Sequence, residues 1–201
     1  PRLRALLAYT TLCALCAALA TPLLAQNATT AYEIDPGHSS AQFTVKHLLI
    51  SNVRGIIPIK EGQVETAPGS SIPVSLAATL DVTGVNTQNA DRDKDLRGPD
   101  WFDVAKYPTI EFKSTGITSS DPNSFKVTGN LTLHGVTKSI TLDGKVDGSV
   151  ADRRGHEHVG YSATTSIDRR DFGMTALNAM GGALVAGTNV AISLEVEAVA
   201  R

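Results

Sequence analysis

Residues 124–146 read SFKVTGNLTLHGVTKSITLDGKV. Phe125, Val127, Leu131 and Leu133 fall on one side of an extended chain, and Lys126, Thr128, Asn130 and Thr132 fall on the other. Beyond His134-Gly135, the apolar positions Ile140, Leu142 and Val146 resume the same period of two. Successive side chains of a strand point to opposite faces, so this alternation describes two strands, each with a dry and a wet side, joined at a turn.

The period recurs on both sides of this stretch. Ala41, Phe43 and Val45 oppose Gln42, Thr44 and Lys46, and Val74, Leu76, Ala78, Leu80 and Val82 alternate mostly with polar residues. Val159, Tyr161, Ala163 and Ile167 follow, then Val190, Ile192, Leu194, Val196 and Ala198 against Ser193, Glu195 and Glu197. Asp35-Pro36-Gly37, Pro68-Gly69 and Asp121-Pro122-Asn123 supply turn chemistry between runs. Gly129 and Gly144, inside long strands, are read as bends or bulges where the sheet coils. Many antiparallel strands with one apolar face and little helix predict an all-β sheet that closes on itself and so removes its edges.

Two stretches depart from the pattern. Asn89 to Asp103 (NADRDKDLRGPDWFD) has helical character, with Asn89 as cap, acids early and Pro99 ending it. Phe172 to Gly187 (FGMTALNAMGGALVAG) is apolar and glycine-rich, and reads as a long loop or short helix across one barrel end. No repeat or linker divides the chain.

The first 25 residues read as an export signal. Arg2 and Arg4 precede an apolar or small run from Leu6 to Ala20, and no acid occurs before Glu33. Ala18-Leu19-Ala20 fits a small-x-small cleavage site, with Ala25 as second candidate. Cys13 and Cys16 both lie in this segment, each preceded by Leu, which argues against a lipoprotein signal. The mature domain, 26–201, then holds no cysteine, and a periplasmic location with no stable membrane span is expected. The whole chain carries 18 Lys and Arg against 20 Asp and Glu, and the mature part is more acidic by two charges. That balance offers no clustered positive charge for nucleic acid.

Motifs for catalysis and metals are incomplete. Gly37-His38-Ser39-Ser40-Ala41 resembles a serine-hydrolase elbow, but a strand rather than a helix follows it. His156 and His158 share one side of a strand, without further ligands to complete a shell. Asp91, Asp93 and Asp95 lack the glycine and the terminal glutamate of a calcium loop. No catalytic residue, no metal site and no cofactor is expected.

Four segments together resemble the YceI family. They are Asp35-x-x-His38-Ser39 with Phe43-x-Val45-Lys46-His47-Leu48 and Ser51-x-Val53-Arg54-Gly55; Asp95-Leu96-Arg97 with Asp100-Trp101-Phe102-Asp103 and Tyr107 to Phe112; Gly129 to Lys138; and Ile167 to Met174. They follow the family's order from about Tyr32 to the end. Ile57, Gly98 and Thr188-Asn189 depart from the usual pattern. The resemblance implies an extended, eight-stranded antiparallel, lipocalin-like barrel with one or two short helices. It also implies an elongated interior for a polyisoprenoid, isoprenoid quinone or fatty amphiphile, with no cofactor chemistry.

For the motif residues Arg54, Asp95, Arg97, Arg169 and Asp171 the expectation is a polar lattice at one barrel end. The alternative is contact with a ligand head group. The candidates for ligand contact are the apolar positions Phe43, Val45, Phe102, Phe112, Leu131, Leu133, Ile140, Leu142, Tyr161, Phe172 and Met174. A slip of one residue turns every side chain to the other face, so alternation alone leaves open which set points inward. The physical case for such a ligand is simple, since each methylene withdrawn from water is worth about 0.8 kcal/mol. Low aromatic content (5%) suits an aliphatic ligand. Two rival readings are a structural or stress-related protein with a filled barrel, and an enzyme using His38, His47 or His134 inside it.

Overall fold

The computed structural model describes residues 29–177 and 185–201. The leader expected over 1–25 and part of the glycine-rich stretch lie outside them. In chain order the strands are β1 (Thr30–Ile34), β2 (Ser40–His47), β3 (Ser51–Ile57), β4 (Ile59–Thr66) and β5 (Pro73–Asp81). After helix α1 (Ala90–Arg97) come β6 (Thr109–Ser119), β7 (Ser124–Leu133), β8 (Val136–Ala151), β9 (Glu157–Asp168) and β10 (Ala186–Ala200).

Every pairing is antiparallel. Strand β10 meets β9 along one edge; along the other it meets β2 through Ala186–Glu195 and β1 through Ala198–Ala200. Strands β1 and β2 are therefore successive halves of one long strand. Strands β3 and β4 are likewise halves of a second, since β3 pairs with β2 and β4 with β1. Each long strand breaks at a proline, Pro36 or Pro58, which has no backbone N–H to give a ladder. At the first break the Ser39 hydroxyl bridges the gap: it accepts the Glu197 N–H at 3.0 Å and donates to the Glu197 carbonyl at 3.4 Å. Eight long strands thus form a ring, β1-β4-β5-β6-β7-β8-β9-β10, closed by β1 on β10. This is the expected eight-stranded barrel.

Two local expectations are corrected. Gly144 marks no bulge, being in register opposite both Phe125 and Ala163, whereas Gly129, in register opposite Ile140, faces the β6 bulge through its pairing with Ser114. The extra residues themselves lie between Ser114 and Gly116 in β6 and between Val146 and Gly148 in β8. Val74 faces out, because an extra residue in β5 shifts the register between its pairings of Pro73 with Thr66 and Ser75 with Glu65. The helix has the expected limits: Asn89 Oδ1 caps it by accepting the Arg92 N–H at 2.9 Å, and it stops at Gly98, just before Pro99. The turn between β7 and β8 is as short as a hairpin allows, with His134 at φ 52° and Gly135 at φ 74°, the twist that matches paired strands.

Candidate functional site

The odd-numbered residues of β7, Phe125 to Leu133, are all buried, and the even-numbered residues that alternate with them are exposed or half-buried. The inward set of β8 is Ile140, Leu142, Gly144 and Val146. These faces surround a cavity of about 220 Å³ whose free surface is formed by apolar atoms. Along β9 its wall runs from Tyr161 to Ile167, about 20 Å at the rise of an extended strand.

Ten of the eleven expected residues stand on this wall. Phe43 and Val45 come from β2, Phe112 from β6, Leu131 and Leu133 from β7, Ile140 and Leu142 from β8, and Tyr161 from β9. Phe102, in the turns after α1, and Met174, after β9, cover one end. Phe172 is the exception. It is fully buried but off the wall, under the turn that follows β9, and its carbonyl lies 3.1 Å from His134 Nδ1. Sequence gave no means of separating a residue packed beneath a cavity from one that lines it.

Glycines shape the interior. A Cβ on Gly55, Gly129 or Gly144 would overlap the ring of Phe43, Phe112 or Phe125 respectively. Each ring thus occupies the space that a side chain on the neighbouring strand's glycine would need. At the far end the Tyr161 hydroxyl donates to the Ser71 carbonyl at 2.9 Å, and burial pushes its pKa up.

Wall residues outside the expected apolar set include Leu96 and Trp101, which the sequence reading missed, and Arg169, which it placed in the polar lattice or at a ligand head group. The first two sit in helix and turn, where a period of two carries no signal. Arg169 is 3% exposed, with its guanidinium 5.1 Å from the centre of the Trp101 ring. It donates to the carbonyls of Met174, Ala186 and Gly187, so one side chain ties the turn after β9 to the root of β10. Burial lowers its pKa; no carboxylate pairs with it among the described residues. The neighbouring carboxyl, Asp168, is engaged by Arg170, which holds its pKa down to about 2. Arg97 acts similarly on the carbonyls of Thr83 and Val85. The expected polar lattice thus exists as arginine–carbonyl clasps rather than ion pairs, and Arg54, Asp95 and Asp171 stay exposed outside it.

Asp93, from the acidic triplet, is buried and accepts both the N–H and the hydroxyl of Thr87, at 2.8 and 2.5 Å. None of the five histidines lies on the cavity wall. His47 Nδ1 meets the Val185 carbonyl at 2.7 Å, and His156 and His158 flank Asp152 at 3.3 and 3.6 Å. His158 Nδ1 also meets Glu197 Oε1 at 2.7 Å, and His38 Nδ1 meets Asp35 Oδ2 at 2.8 Å. Asp35, His38 and Glu197 bring three ligand-type atoms within 4.8 Å of one another on the outer surface. Only the break between β1 and β2 makes them neighbours, so spacing along the chain does not announce the group.

Residues 32–198 match the family described as the YceI-like domain. A UPF0312 protein of Vibrio cholerae is 31% identical over 165 residues, covering 82% of this chain and 87% of the relative. The crystal structure of the Campylobacter jejuni YCEI protein superposes with a TM-score of 0.68 at 33% identity, over 78% of this chain and 90% of that one. A polyisoprenoid binding domain from Saccharophagus degradans shares the fold, with a TM-score of 0.63 at 17% identity over 86% and 99% of the two chains. A family match over residues 32–198 and a relative 31% identical along most of both chains have one explanation: the chain belongs to the YceI-like family.

Proposed function

We propose that this protein is an exported binding protein that holds a long-chain apolar ligand, a polyisoprenoid, isoprenoid quinone or fatty amphiphile, inside its barrel. The observation that carries this reading is the cavity itself, a tube enclosed by eight strands whose free surface is apolar throughout. Such a tube withdraws methylenes from water at about 0.8 kcal/mol each and needs little directional chemistry. A relative of the same fold is described as a polyisoprenoid binding domain, which supports the ligand class. Placement of all five histidines off the wall favours binding over catalysis within the barrel.

The decisive experiment is mass spectrometry of an organic extract from natively purified protein, with a polyprenyl or fatty species expected at near one equivalent. An empty extract, with no uptake of a polyprenyl or fatty-acid probe, would sink the carrier reading. Leu142→Asp sets a carboxylate against the bound chain and should cut probe affinity at least tenfold, because an unpaired buried charge costs several kcal/mol. Thr141→Asp, one residue along β8 and facing water, should leave affinity unchanged. Circular dichroism on both variants separates lost binding from lost fold. For export, the leader read over residues 1–25 supports a mature chain starting at Thr21 or Gln26. N-terminal sequencing of the periplasmic fraction checks this, and intact leader on membrane-bound protein would refute it.

A further inference from the structure

The turn between β2 and β3 is Leu48-Leu49-Ile50, and these residues are 48%, 62% and 83% exposed. Leu48 and Leu49 both hold positive φ, 51° and 62°. That left-handed backbone is costly for a leucine, yet here it turns three aliphatic side chains out to water. Val185, also exposed, stands beside them, with its carbonyl bonded to His47. From Pro36 to Lys60 the chain contains Lys46, Arg54 and Lys60 and no acidic residue, although the protein as a whole is net negative.

We propose that the β2–β3 hairpin is a membrane-docking element, its aliphatic tip entering the surface of an anionic lipid bilayer and its basic flanks meeting the lipid phosphates. A protruding tip of three side chains is far smaller than the roughly 800 Å² per partner that a stable protein interface buries. It does suit insertion by about 5–10 Å into the boundary between head groups and acyl chains. Lys46 and Arg54 lie one and three residue pairs behind the pair that closes the turn, where charge complements anionic lipid. The location also fits the cavity. Val45 on the cavity wall is two residues before His47, and His47 pairs with Ala186, whose carbonyl Arg169 holds. Tip and one end of the tube are therefore adjacent, which places the ligand's route next to the bilayer. The purpose of docking rests on the carrier reading above; the docking itself does not.

The test is sedimentation of the mature protein with phosphatidylcholine vesicles, with or without 30 mol% phosphatidylglycerol. The wild type should bind the anionic vesicles. Leu49→Ser with Ile50→Ser should weaken binding at least tenfold, and each of Lys46→Gln and Arg54→Gln should weaken it about fivefold on anionic vesicles only. Because all four side chains face water or lie at the hairpin edge, melting temperatures should match the wild type. Equal binding by the tip variant, or no binding by the wild type to either vesicle, overturns the proposal even if extraction finds a bound lipid. A dimer that the tip variant converts to monomer, without vesicle binding, would reassign the hairpin to self-association and overturn it too.

Discussion

Two histidines make stability depend on pH in a defined direction. The Asp35 carboxylate bonded to His38 raises that imidazole's pKa, and Glu197, with Asp152 beyond it, raises that of His158. A folded-state pKa above the unfolded 6.5 means that the stabilisation is complete below that value and disappears as pH climbs through the raised one. Asp35 works oppositely: its bond to His38 lowers its pKa, so its contribution is present above about 3.8 and fades as pH falls through the depressed value. The melting temperature should therefore peak between roughly pH 4 and 6.5 and decline toward pH 8. Thermal scans of wild type and the His38→Gln, His158→Gln double variant check this, the variant losing the decline above neutrality. A wild-type curve that rises from pH 6 to 8 would contradict the assignment. The Asp35–His38 pair is local, three residues apart at one turn, whereas His158 and Glu197 meet only across the β9–β10 ladder, so the second pairing is not legible in the sequence.

Strands were the most legible elements, for a reason visible in β7. Five inward positions at strict period two, Phe125 to Leu133, leave one register in which the apolar set is dry. Legibility failed where the period was absent or misleading. Trp101 reaches the cavity from a turn, Val74 is thrown outward by an extra residue, and Arg169 enters the wall from a 3-10 turn with no acidic partner to hint at its burial. Glycines in the strands misled in the same way, because a missing side chain signals either a bend or room for a neighbour. The two cases respond differently to substitution. Gly129→Val should cost about 1–3 kcal/mol, since its Cβ would overlap the Phe112 ring and the Lys113 carbonyl. Gly116→Ala, with open space around its Cβ, should be neutral or stabilise by up to about 1 kcal/mol through a less flexible unfolded chain. Urea unfolding of both variants measures the difference, and similar values would remove the ring-over-glycine account.

At the scale of the molecule, the barrel exists because its first and last strands meet. Tyr32 pairs with Ala200, Glu33 with Val199 and Ile34 with Ala198, and the same stretch of β10 buries Ala198 completely. Deleting residues 196–201 should leave β1 unpaired on that side, expose the apolar lining and abolish cooperative thermal unfolding, whereas deleting Arg201 alone should be tolerated. Calorimetry with a dye that reports exposed apolar surface tests both, and a sharp transition in the longer deletion would show that the ring closes without those residues. The closing pairs also set a timetable. Contacts between residues so far apart in sequence are entropically expensive to form, and folding rates fall as such contacts dominate. Until β10 is in place, β1 and β9 both present free ladder edges, the surfaces on which chains cross-associate. The ring is therefore a late event, and yield on refolding should fall steeply with protein concentration, because closure within one chain competes with pairing between two.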